Sequence, residues 1–283
     1  MEKSRLSGDI ALFLALTLGL SCIFYVPLVT LQPSPAFMPY VTGLMWSPAI
    51  AALLTVRFRR LDLASLGWGW GEHRWNLTAY LVPLGYAGLA YAAVWIFGLG
   101  GFADAENIKQ ARTFLGWKDA HPALVVIGYA LLMATAGMAI SLATALGEEI
   151  GWRGFLAPRV AKLAGFMPSV FIVAVIWGAW HMPLILLGGY NAETEWWVAI
   201  PCFMVLVLGV SLIAAWLRLK SGSLWPAAIL HASHNLFIQR VFTPLTGPRG
   251  EVTPYVIDEF GIAVPVAILI FAIWFWKRRA EVA

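Results

Sequence analysis

Charge is what this chain has least of. Only 12% of its 283 residues are Asp, Glu, Lys or Arg, whereas a soluble domain carries about 25%. Cysteine is almost missing too. Cys22 and Cys202 are the only two, and both fall in apolar runs, which excludes a disulfide framework and a thiolate metal site. There is no His-Glu-x-x-His zinc signature, no Gly-x-Ser-x-Gly elbow and no phosphate-binding glycine loop. Long polar linkers and internal repeats are absent, so the chain reads as one integral domain, 1–283. What is there is apolar: 60% of the residues are hydrophobic, and 15 are Trp. The net charge of +4 does not point to nucleic acid, because the basic residues gather at the ends of apolar runs.

A bilayer is crossed by helices of roughly 17–25 apolar residues, since lipid offers no partner to an open backbone. Eight windows qualify: 10–31, 38–56, 77–97, 122–146, 168–187, 196–217, 224–241 and 260–276. The seventh is the weakest, because it carries His231, His234, Asn235 and Arg240. The expected fold is all-α: a polytopic membrane protein of about eight transmembrane helices, with its site inside the bundle. Lys3 and Arg5 precede the first window, which reads as a retained span. Alternating the windows across a membrane puts 14 of the 19 Lys and Arg residues on the side of the N-terminus and 5 on the other. This asymmetry predicts a multi-pass protein of a bacterial or archaeal cell membrane with both termini cytoplasmic. The segment 102–121 is expected as an outer loop with a short surface helix. The segment 154–166 is expected as an amphipathic helix on the inner face, separated from what precedes it by a break at Pro158.

Three polar islands interrupt the apolar runs. Glu148, Glu149 and Arg153 close the fourth window. On a continuing helix Glu149 and Arg153 are i and i+4 and face each other, while Glu148 turns about 100° away. That divides a paired, supporting carboxylate from a free, reactive one. His181 lies inside the fifth window one turn after Trp177, with Pro183 able to open the helix behind it. His231 and Asn235 are i and i+4 in the seventh and address one object together, with His234 turned off that face. Each island alone has an ordinary reading: loop charges at a span end, a lone interhelical histidine, an interhelical His–Asn contact. Together, a carboxylate, two histidines and an amide supply water activation and oxyanion stabilisation. They are also a conceivable metal-ligand set.

In these residues the sequence resembles the CAAX-processing and bacteriocin-processing family of intramembrane proteases, which includes the type II CAAX prenyl endopeptidases. The family pattern is Glu-Glu-x-x-x-Arg, then an aromatic-x-x-x-His, then His-x-x-x-Asn. Here it is Glu148-Glu149-Ile150-Gly151-Trp152-Arg153, then Trp177 to His181, then His231 to Asn235. Trp177 stands where Phe is usual, and the matching core covers 122–241. Weaker likenesses occur at Trp46-Ser47-Pro48-Ala49-Ile50 and Leu66-Gly67-Trp68. The resemblance implies an intramembrane endopeptidase cutting near a membrane-anchored C-terminal segment, prenylated or not. Glu148 would activate water with His181, His231 and Asn235 would hold the oxyanion, and Glu149, Arg153 and Trp177 would support them. No cofactor is required in that reading, since Asn is a poor ligand and a good oxyanion donor. If a divalent metal such as zinc takes part, its ligands would be Glu148, His181 and His231. The implied partners are membrane lipid and a peptide or protein substrate, with no nucleic acid. The site is expected in the inner half of the bilayer, open to the cytoplasm. An idle scaffold, or a transporter relaying protons through the same Glu and His residues, remains an alternative.

Overall fold

The computed structural model describes residues 2–31, 37–191 and 193–282. It is an all-α bundle. Helix α1 runs Glu2–Thr30, α2 Met38–Phe58 and α3 His73–Ile96. Helix α4, Ala105–Leu115, is short and capped by Asp104, whose side chain accepts from the Asn107 N–H. Helix α5 is continuous over Pro122–Ala164, α6 spans Phe166–Leu187 and α7 Trp196–Ser221. Helix α8, Trp225–Asn235, passes into a π-helical turn at Leu236–Phe242, and α9 spans Ala263–Lys277. The one sheet among the described residues is a two-residue antiparallel pairing of Gly101–Phe102 (β1) with Thr246–Gly247 (β2).

Among the described residues, six helices are long and apolar enough to cross a membrane: α1, α2, α3, α5, α6 and α7. The last two expected windows are helical but shorter. Helix α4 occupies the segment expected to hold a short surface helix. Pro183 lies inside α6 without interrupting it.

The expected break at Pro158 is not found. Helix α5 loosens into a π turn over Ile150–Leu156, where Ala157 N–H reaches back five residues to Trp152 O. Pro158 follows at the start of the next α-helical stretch, where a missing N–H costs least. Residues 154–166 are therefore no separate surface helix. Arg159 is buried, donates to Phe155 O and sits 3.7 Å from the centre of the Phe155 ring.

The bundle has two distinguishable ends. At one, Arg59 meets Gly8 O and Asp9, Arg218 reaches Ser65 O, and Lys220 pairs with Glu281. At the other, Thr194 bonds Pro254 O, Asn107 bonds Pro244 O, and β1 pairs with β2. Helix α5 lies unusually close to α2 midway along. A Cβ on Gly147 would come within 2.7 Å of Met45 O, and one on Gly151 within 2.5 Å of Pro48. Only glycine permits that approach.

Candidate active site

Glu148 and Glu149 end the α-helical part of α5 just before its π turn, and both are buried. The helix turn separates their surroundings as the spacing predicts. Glu149 Oε1 accepts from Arg153 Nη1 at 2.7 Å and faces His231 Nδ1 at 2.9 Å. Both members of the Glu149–Arg153 pair are 0% exposed. Arg153 also donates to Ser211 Oγ of α7 at 3.0 Å and lies 4.4 Å from the centre of the Trp177 ring. The arginine thus ties α5 to α7 through Ser211 and to α6 through the Trp177 ring.

Glu148 points the other way. Its Oε2 accepts from the Trp177 indole N–H at 2.7 Å. One turn later on α6, His181 Nδ1 lies 2.9 Å from Trp177 O. A carbonyl only accepts, so the proton sits on Nδ1 and the lone pair of Nε2 is free. Trp177 therefore orients Glu148 with its indole and His181 with its backbone. Its ring also packs edge-on to His231 at 5.2 Å. His231 is committed at Nδ1 to Glu149, leaving Nε2.

Glu148, Trp177, His181, His231 and Asn235 line one cavity of about 280 Å³. Helices α5, α6 and α8 each contribute, so the three islands meet. Glu149 and Arg153 stand behind this wall and do not line it. Apolar side chains complete it, among them Leu28, Val41, Leu44, Leu184, Phe203 and Leu206.

The ligands named in case a metal takes part, Glu148, His181 and His231, line the same cavity. Among the described residues, no three His, Cys, Asp or Glu side chains are placed to hold a metal ion. One atom of each of these side chains is engaged, Glu148 Oε2 by Trp177, His181 Nδ1 by Trp177 O and His231 Nδ1 by Glu149, which leaves Oε1 of Glu148 and Nε2 of each histidine.

A second buried polar group shares the cavity, and sequence reasoning missed it. Glu259, in the loop before α9, accepts from Tyr190 at 2.8 Å and from Gln239 at 3.1 Å, and faces His234 Nε2 at 3.0 Å. His234 Nδ1 lies 2.6 Å from the Tyr86 hydroxyl. Read as turned away from Asn235, His234 nevertheless lines the same cavity, as do Gln239, Tyr190 and Glu259. Ser211 was missed as well, although a lone serine in an apolar helix was visible in the sequence.

Comparison with known proteins follows the same segment. The family profile described as type II CAAX prenyl endopeptidase Rce1-like matches residues 124–237. A curated protein named CAAX prenyl protease 2, from Methanococcus maripaludis, is 29% identical over 100 residues, which cover 34% of this chain and 36% of that protein. The chain thus matches about a third of the length of that relative. The profile that matches residues 124–237 is of the kind that the motifs resemble.

Proposed function

We propose that the chain is an intramembrane endopeptidase of the type II CAAX kind, with residues 122–241 as its catalytic core. It would hydrolyse a peptide bond in a membrane-anchored segment, prenylated or not. The observation that supports this best is the shared cavity: a carboxylate, two histidines and an amide from three helices face one space. Glu148 takes a proton from water through its free Oε1, and His181 Nε2 accepts the second hydrogen bond of that water. The new hydroxide attacks the scissile carbonyl carbon. Asn235 and His231 Nε2 donate to the resulting oxyanion. For that, His231 carries both ring protons, one held by Glu149 and the other aimed into the cavity. Glu148 then returns its proton to the leaving amine as the C–N bond breaks.

The test is cleavage of a quenched fluorescent peptide by purified protein in lipid nanodiscs. Glu148→Gln keeps an oxygen for the Trp177 indole to donate to but removes the base. General-base loss should lower kcat by about 10²–10⁴-fold with an unchanged melting temperature. Wild-type turnover by the Glu148→Gln protein would end this assignment.

A further inference from the structure

A second cavity, of about 310 Å³, lies at the end of the bundle where Arg59 meets Gly8 O. Its charged lining comes from three places: Glu2, Arg5 and Asp9 of α1, Asp62 between α2 and α3, and Arg159 and Lys162 near the end of α5. Three carboxylates and three cations therefore face one hollow. It shares no lining residue with the cavity around Glu148.

Two of these charges are withdrawn from water: Asp9 is 2% exposed and Arg159 8%. Arg59 Nε stands 3.4 Å from Asp9 Oδ1, but that oxygen receives no hydrogen bond from any described residue. A buried carboxylate oxygen without a donor is costly, and a cation bringing N–H groups would relieve it. Arg159 gives Nη1 to Phe155 O at 2.9 Å and Nη2 to Ser65 Oγ at 3.4 Å. A guanidinium carries more N–H donors than these two bonds use, which leaves some for an anion. The exposed Lys162 and Arg5 add to the positive charge there.

Beneath the hollow the core is closed. One turn in from Asp9, Phe13 stacks on Phe155 at 4.9 Å and meets Trp152 edge-on at 5.9 Å, and Trp152 meets Trp180 at 5.8 Å. Phe13, Trp152 and Phe155 are all 0% exposed. This aromatic layer stands between the hollow and the cavity around Glu148, whose wall includes Trp180. On its flank the hollow shares Leu61 with a groove lined by Leu53, Val56 and Leu63. Leu53 and Leu63 are exposed. A charged hollow beside an exposed apolar strip fits a molecule with a polar head and an acyl tail better than a small free anion.

We propose that this hollow binds the headgroup of a phospholipid whose phosphate ester carries a primary ammonium, as in ethanolamine lipids. The phosphate lies against Arg159 and Lys162, and the ammonium donates to Asp9 Oδ1. A purely anionic headgroup would face Glu2, Asp9 and Asp62 with nothing to offer them. A choline headgroup has no N–H for Asp9, and quaternary ammonium is ordinarily held by aromatic faces. No aromatic side chain is among the described residues that line the hollow. The proposal is independent of what the protein cleaves.

Native mass spectrometry of the delipidated full chain in detergent tests it, by titration with lipids of identical acyl chains. The ethanolamine lipid should bind about tenfold more tightly than the choline lipid or phosphatidylglycerol, as one charged hydrogen bond allows. Asp9→Asn should bring the ethanolamine lipid down to the level of the choline lipid. Lys162→Gln should weaken both, and because Lys162 is exposed this variant serves even if Asp9→Asn does not fold. Choline lipid or phosphatidylglycerol held as tightly as the ethanolamine lipid would overturn the proposal. So would a preference that survives Asp9→Asn, or an affinity unmoved by Lys162→Gln. Soluble phosphoethanolamine is the last arm: binding as tight as that of the lipid would overturn the assignment to a membrane lipid.

Discussion

At the scale of single residues, the site separates charge that is held from charge that is free to react. Arg153 is the clearest case of the first. Truncating it leaves Glu149 as a buried carboxylate facing only His231, and removes the links to Ser211 and to the Trp177 ring. Breaking a buried pair costs about 3–5 kcal/mol, so Arg153→Ala should lower the melting temperature in detergent far more than Glu148→Gln does. Equal melting of the two variants would count against a buried pair. This pairing was legible in the sequence because i,i+4 geometry is local. The bond from Trp177 to Glu148 was not, since it joins two helices whose packing no spacing encodes. Glu259 was invisible for the same reason: it reaches the cavity from a loop with no motif around it. Its neighbour Asp258 gives a pH test. Burial and the adjacent Glu259 charge push its carboxyl up to about 6. The folded protein then holds an extra proton between about pH 4 and its own pKa, so this group lowers stability as pH rises through that window. Asp258→Asn cannot ionise. It should melt above wild type at pH 7–8, with the gap closing towards pH 4, which thermal unfolding across pH would measure.

At the scale of elements, α5 is the helix on which the site hangs, and glycine sets how close α2 can come to it. Gly151→Ala places a methyl group 2.5 Å from Pro48. Pushing the helices apart should cost about 1–3 kcal/mol. Gly19→Ala, in α1, is the matched control: nothing lies within 4 Å of its added Cβ. There the change should be neutral or stabilise by about 0.5–1 kcal/mol through helix propensity alone. Thermal unfolding of both variants distinguishes a packing demand from a backbone one, and equal effects would remove the argument for close contact. Helices α1 to α3 and α5 to α7 were readable from apolar length. The continuity of α5 past Pro158 was not, because proline in sequence signals a break, and the π turn that accommodates it depends on packing against α2 and α7.

At the scale of the whole molecule, the apolar windows and their charged ends were legible because lipid imposes them on any sequence. The depth and mouth of the cavity were not, because they follow from which helix halves splay apart. The aromatic layer of Phe13, Trp152 and Phe155 has an electrical meaning as well. A cavity open at one end and holding carboxylates would admit water, and that water would carry the potential of its side down to Glu148. The transmembrane voltage, worth about 2.3 kcal/mol per charge for each 100 mV, would then fall across the aromatic layer rather than across the full bilayer. A proton moving between Glu148 and the open side would cross almost none of it. If the cavity hydrolyses peptides as proposed, its rate should be the same in an energised and in a depolarised membrane, with three aromatic side chains as the insulation.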